Sequence, residues 1–373
     1  MHIIPMPADH DGWRQGATVV ALGLTVLFWE IGVTGCSDDS TSNVDAAVDA
    51  QLDTGPSCGN GLRELGEECD DGNNDPGDGC DPNCMKEHLC GNGTLNQAEE
   101  CDGSDFATNC VLSGHLQGPA LCTSQCTLDA TKCNDTDDHL EAWYRLDTVS
   151  TLVPDHSGKG HGCLAHSIQA GFPGRVSESS FFDASQTAYG DCGTGDASTL
   201  DGFEEMTIEA WVQLNSYAPV GTDMRAILAR NETGDPTDFV YALGVAGSTF
   251  GSDSMHPLFA LGSLDKPVVG DQMLLTDRWY HVAGTYTSHT LSLYVDGVLS
   301  GQTTADATFV VPTWHQAYNT VGAMNVNGQP TDLMDGYLDD VKIWSEARSP
   351  EQICADGGGF YDANADPVCR YVE

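Results

Sequence analysis

Acidic side chains and cysteines are the residues of this chain whose spacing could do chemistry. The stretch Cys69-DDGNNDPGDG-Cys80 sets Asp70, Asp71, Asn73, Asp75 and Asp78 among Gly72, Gly77 and Gly79. Oxygen ligands clustered on a turn that glycine permits suit a hard cation such as Ca²⁺. The alternative is a solvated acidic turn with no ion. It is not an EF-hand loop, because Pro76 stands where that loop needs glycine. The close pairs Cys80/Cys84 and Cys122/Cys126 admit zinc as well as disulfides. Of 15 cysteines, 14 remain once Cys36 is set aside, and an even number in an exported chain points to disulfides. These are Cys58, Cys69, Cys80, Cys84, Cys90, Cys101, Cys110, Cys122, Cys126, Cys133, Cys163, Cys192, Cys354 and Cys369.

The charge narrows the function classes. Against 56 Asp+Glu stand 14 Lys+Arg, a net charge of −42 over 373 residues. A nucleic-acid binder needs a basic footprint, which is missing. Adsorption to anionic lipid is disfavoured for the same reason. The chain has no HExxH zinc-protease motif, no GxSxG nucleophile elbow and no P-loop, and its 12 histidines are scattered. Together these point away from an enzyme.

The amino terminus accounts for the odd cysteine. Residues 17–29 are apolar and of signal-peptide length. The following Val33-Thr34-Gly35-Cys36 resembles a bacterial lipobox, which implies lipidation of Cys36 and a signal peptide over 1–35. The competing reading is an uncleaved membrane helix over Ala17–Gly35, in which Glu30 would be costly. Ser37 after the cysteine resembles outer-membrane sorting, while Asp38 and Asp39 leave inner-membrane retention open. Residues 36–57 read as a flexible acidic tether. The expected location is the bacterial envelope, as an outer-membrane lipoprotein or at the cell surface, with the lipid as the only membrane contact.

Two segments within 58–135 are similar at an offset of 32 residues. Cys58, Cys69, Cys80 and Cys84 match Cys90, Cys101, Cys122 and Cys126, and the second segment adds Cys110 and Cys133. CGNG…GEECDDGN…GDGC resembles the myxobacterial-type cysteine-rich repeat, related to the calcium-binding modules of pappalysins. Units this short bury little core, so crosslinks of about 2–4 kcal/mol each must hold them. They are expected to act as a spacer.

Residues 140–355 change in texture. Short runs of β-branched and aromatic residues recur between Gly, Asp, Asn and Ser turns. In 206–214, Ile208, Ala210, Val212 and Leu214 alternate onto one face, and Asp296-Gly297 is a hairpin signal. The fold class is all-β, a two-sheet antiparallel jelly-roll sandwich after a small disulfide-rich region. FEEMTIEAWVQL, RWYHVAGTYTSHTLSLYVDGVLSGQ and GYLDDVKIWSEARSPEQI resemble, in order, the laminin-G-like, concanavalin-A-like jelly rolls, and the last segment the final strand and helix of pentraxins. Cys163 with Cys192 and Cys354 with Cys369 are paired by proximity. Residues 356–373 form a tail in which Asp362-x-Asn364-x-Asp366-Pro367 repeats the pattern of residues 71–76.

Glycoside hydrolases of this fold carry ExDxxE along one strand. Here Glu205-x-x-x-Glu209 and Asp339-Asp340 have the wrong spacing. The resemblance therefore implies binding, of a glycan or a surface protein, commonly with structural calcium. Asp155 in the opening loop and Asp339 in the final strand are the candidate ligands there. Asp339 is expected to share the core face of Val341 and Ile343, where a carboxylate needs a hydrogen-bond network or a cation. Trp314 and Tyr318 are the candidate sugar-stacking aromatics, whereas Trp211, Trp279 and Trp344 read as core. A scaffold subunit with no small ligand is the second reading, and a glycan-cleaving enzyme the third.

Overall fold

The computed structural model describes residues 57–371 apart from 77–78, 88–89, 93–94, 96–98, 104, 195–199, 201, 232–237, 264–266, 306–310, 312–316 and 366. The expectations for the signal segment, for Cys36 and its tether, and for Asp78 and Trp314 lie outside the described residues. Among the described residues no helix is long and apolar enough to cross a membrane.

Two antiparallel sheets make the sandwich. The back sheet runs Val268–Val269, Pro257–Ser263, Asp238–Ala246, Met224–Asn231, Tyr318–Val321, Tyr189–Thr194, Cys163–His166, Leu152–Val153. The front sheet runs Val298–Thr304, Thr290–Val295, Trp279–Thr287, Met206–Leu214, Gly336–Trp344, Glu178–Phe182, Gln169–Pro173, and Leu140–Tyr144 also pairs with Gly336–Trp344. Period two sends Ile208, Ala210, Val212 and Leu214 inward, where they meet Leu228, Leu243 and Phe259 of the back sheet. Burying each such aliphatic side chain contributes about 1.5–3 kcal/mol. At the expected hairpin both turn residues have positive φ, 48° at Asp296 and 69° at Gly297.

The strand Gly336–Trp344 departs from strict alternation. Its register against Met206–Leu214 shifts between Asp339 and Lys342, and Asp340 sits at φ 54°. This bulge inserts one residue. Asp339 therefore pairs with Trp211 and faces outward, on the side opposite Val341 and Ile343. The expectation that it shares their face is corrected by that one extra residue, which period-two counting cannot anticipate. The bulge also divides the strand's edge: Gly336–Leu338 pair with Glu178–Phe182, and Val341–Trp344 pair with Leu140–Tyr144.

Both outer faces are partly covered. On the back sheet, Ala226, Ala229, Ala242 and Ala260 leave room for Met324, which belongs to a two-strand ribbon, Met324–Val326 with Gln329–Thr331. Asn231 fixes that ribbon, accepting from the Asn325 N–H at 3.0 Å and donating to the Asn325 carbonyl. On the front sheet, Val111 of the second repeat packs on Trp211, and Leu116 packs on Trp143 and Trp344. The helix Pro350–Asp356, opened by a Ser349/Gln352 capping box, seats Ile353 against Ala283 and Tyr294. The second repeat is thus packed on the sandwich.

All fourteen cysteines pair: Cys58–Cys84, Cys69–Cys80, Cys90–Cys126, Cys101–Cys122, Cys110–Cys133, Cys163–Cys192 and Cys354–Cys369. The two repeats share one connectivity, and both sandwich pairings match those expected from sequence proximity.

Candidate functional site

The sequence-selected acids of the repeats have structural partners. Asp70 accepts hydrogen bonds from the backbone N–H groups of Gly59, Asn60, Gly61 and Gly72, at 2.7–3.1 Å. Desolvation works the other way, yet these donors hold its carboxyl below the usual value. Asp102 accepts likewise from Gly91 and Asn92 in the second repeat. The carboxylate after the second cysteine thus closes the CGNG loop in both repeats. Asp71 is exposed and, among the described residues, accepts a long bond, 3.4 Å, from the Asn73 N–H, while the Asn73 side chain accepts from the Asp75 N–H.

Asp155 organises the opening loop. It accepts from the N–H groups of Trp143, Ser157 and His161 and from the Ser157 hydroxyl. Against desolvation, these bonds hold its carboxyl below the ordinary range. A carboxylate offers about four lone-pair positions. At Asp70 and Asp155 all four are met by protein donors, whose positive ends repel a cation, so neither fits a calcium site in this conformation. Asp339 takes the Arg175 and Val176 N–H groups on one oxygen, both at 2.8 Å, and its other oxygen is buried without a partner. Burial, and then the neighbouring Asp340, push its pKa up to about 8, so it is protonated at neutral pH. No ligand set assembles from Asp155 and Asp339. Tyr318 lies in the middle of the back sheet, paired with Asn231 and Thr194, and is half-buried.

The front sheet presents a different constellation. Outward positions of neighbouring strands carry Phe172, Phe181, Tyr337 and Trp279, all half-buried. Their rings form one row: Phe172 to Tyr337 is 5.3 Å, Phe181 to Tyr337 4.9 Å, and Tyr337 to Trp279 6.3 Å between centroids. Gln213 stands between the last two, register partner of both. The row ends in a cleft of about 960 Å³ lined by Trp279, Gln213, Gln272, Asp296, Tyr371 and three arginines, Arg175, Arg278 and Arg370. The tail supplies one wall, and Cys354–Cys369 ties that wall to the helix. Gly297 makes the fit possible: a Cβ there would lie 2.5 Å from the Cys369 sulfur. Sequence reasoning placed Trp279 in the core because its strand is strongly patterned. The signal it missed is phase: Tyr280 and Val282 face inward, which turns Trp279 outward.

Beneath the tail and helix lies a buried polar cluster. Lys342 pairs with Asp340, which also accepts from the Trp143 indole N–H, and Glu209 accepts from the Trp344 indole N–H at 2.9 Å. Arg348 grips Asp356 through two nitrogens, at 2.8 and 2.6 Å. Burial, and then Lys342, bring the His281 pKa down to about 3, so its ring is neutral. Burial, and then Glu209, raise Asp356 to about 6. These acids are almost wholly buried and engaged by partners of their own chain, with one Glu209 oxygen left without a hydrogen bond, a locking arrangement between sheet and helix.

Residues 186–354 match a laminin-G-type family described as the concanavalin A-like lectin/glucanases superfamily. No curated protein matches the chain. Among solved structures, the chain is similar to domain 4 of AbnA, a GH43 extracellular arabinanase from Geobacillus stearothermophilus, in complex with arabinotriose. The identity is 18% and the TM-score 0.42, over 58% of this chain and 98% of that one. It is also similar to the Trypanosoma rangeli sialidase in complex with sialic acid, at 12% identity and TM-score 0.46, over 66% of this chain but only 36% of the sialidase. A carbohydrate-binding protein from Bacteroides ovatus, so described in its name with reservation, is similar at 18% identity and TM-score 0.36, over 49% of this chain and 51% of that protein. Lectins and glycoside hydrolases both use this fold. Residues 186–354 thus match a concanavalin A-like, laminin-G-type family model, and the two antiparallel sheets of the chain form an all-β sandwich of that kind.

Proposed function

We propose that the protein binds carbohydrate along the front-sheet aromatic row and in the cleft at its end, without cleaving it. One observation carries this reading: four half-buried rings lead into a cleft whose walls combine aromatic faces with amide and guanidinium donors. Aromatic faces pack the apolar faces of sugar rings, and a few fixed polar groups then select hydroxyl patterns. The lectin/glucanase family over 186–354 agrees with it. Binding rather than hydrolysis is supported by Glu209, Asp340 and Asp356, whose carboxyl groups are buried and engaged with Lys342, Trp344 and Arg348.

Display on the bacterial envelope through lipidated Cys36 belongs to the same reading and rests on the sequence. Structural calcium is a separable proposal, confined to the exposed Asp71–Asn73 turn of the first repeat. The test of the main reading is a glycan array probed with the full chain and with Trp279→Ala. Glycans bound by the wild type and lost by the variant are expected. An array on which neither binds, or on which both bind the same glycans equally, overturns it.

A further inference from the structure

We propose that the cleft at the end of the aromatic row selects an acidic glycan, a sugar bearing a carboxylate that Arg175 and Arg278 read. The proposal rests on the carbohydrate-binding reading above and names the ligand class.

The argument begins with charge. In a chain of net charge −42, acids are plentiful, and within the sandwich most described cations are spent on them. Arg145, Lys159, Arg225, Lys342, Arg348 and Arg370 are each ion-paired. Arg175 and Arg278 are the exceptions in the cleft: among the described residues neither has an ion-pair partner. Both are held in place by aromatic rings instead, Arg175 at 4.9 Å from the Trp211 centroid and Arg278 at 5.0 Å from that of Tyr280. The Arg175 Nε is buried with no acceptor. A buried donor without a partner is costly, so its retention beside an open cleft calls for an acceptor brought by a ligand.

The backbone of Arg175 is equally fixed, since its N–H and that of Val176 are both held by Asp339. The other charges of the cleft are Asp277, Asp296 and Arg370, so three arginines face two aspartates there, a balance of +1. Arg370 is engaged by Asp362 at 3.5 Å. Asp296 accepts the His281 N–H at 2.9 Å and also feels the charges of Arg278 and Arg175, though neither comes within ion-pair distance of it; burial still raises its carboxyl above the usual range.

A guanidinium is a planar fork that matches a carboxylate with two parallel hydrogen bonds, and it is the side chain suited to that recognition. Both arginines line the same cleft as Trp279, which suits a sugar ring with a carboxylate at its edge. A neutral sugar would offer these guanidinium groups only single hydroxyl acceptors, without the charge or the second parallel bond of a carboxylate.

The experiment is isothermal titration of the full chain with oligomers of galacturonate, glucuronate, mannuronate and guluronate, each beside its carboxyl-reduced counterpart. At least one uronate oligomer is expected to bind tenfold or more tightly than its reduced form. Arg278→Gln, at an exposed position, should abolish that preference, so that the charged and reduced forms bind alike. Trp279→Ala should weaken both. Equal binding of charged and reduced forms, or a preference that survives in Arg278→Gln and in Arg175→Gln, overturns the proposal. Binding of neutral oligosaccharides alone, dependent on Trp279, overturns it while leaving the carbohydrate reading standing. Absence of any oligosaccharide binding overturns both.

Discussion

Replacing Asp339 by Asn isolates the carboxyl that anchors the Arg175 loop. Asn keeps an oxygen to accept the Arg175 and Val176 N–H groups, and its NH₂ occupies the place of the protonated oxygen. The wild-type carboxyl titrates at about 8 in the folded protein against a reference of 3.8. Between these values the native state holds one proton that the unfolded chain has lost. Stability must then fall as pH rises, by about 1.4 kcal/mol per pH unit. Below pH 4 this group has no effect on the balance, and above pH 8 the loss is complete, at roughly 6 kcal/mol in total. The Asn variant has nothing to titrate, so the difference between the two proteins isolates this group from Asp356 and Asp296, which both retain. The assay is guanidinium unfolding with disulfides intact, from pH 4.5 to 8.5. Wild type should lose stability relative to Asp339→Asn steadily across that range, and glycan affinity should be equal in both at pH 5. Parallel stability curves would refute the reasoning, because they would show Asp339 ionised in the native state.

Three further outcomes follow from the same structure. Lys342→Met leaves Asp340 buried without its cation and should cost about 3–5 kcal/mol in guanidinium unfolding, as breaking a buried pair does. Gly297→Ala forces a side chain onto φ 69° and against the Cys369 sulfur; a lower melting temperature and weaker glycan binding are expected, and an unchanged melt would contradict the tail's close fit. Calcium added to the chelator-treated protein should raise the melting temperature by mass action if the Asp71–Asn73 turn holds it, and Asp71→Asn should remove that rise, while no rise sinks the calcium proposal.

Much of the scaffold was legible in the chain. Alternation in 206–214, the Asp296-Gly297 hairpin and the cysteine spacings depend on near neighbours, so local pattern suffices to place them. The acids of the repeats were legible only as a cluster. That Asp70 closes the CGNG loop requires four backbone N–H groups, three of them about ten residues away, and composition cannot show where they point. Asp339 was misassigned because a bulge changes phase without a sequence mark. The aromatic row was hidden for another reason. Phe172, Phe181, Tyr337 and Trp279 come from four strands, and only sheet order makes them neighbours. Whether their face stays open depends on where the second repeat and the tail dock. Val111 and Leu116 decide this, and a single buried hydrophobe in a cysteine-rich loop gives no sign of what it packs against.

The central claim is that sugar occupies the front-sheet row and its cleft. The most direct measurement is a crystal structure of the full chain with a glycan drawn from the array. The account predicts sugar rings stacked on Trp279 and Tyr337, with the reducing or non-reducing end in the cleft between Arg175 and Arg278. A glycan seated on the back sheet, or at the loop rim near Asp155, would contradict it.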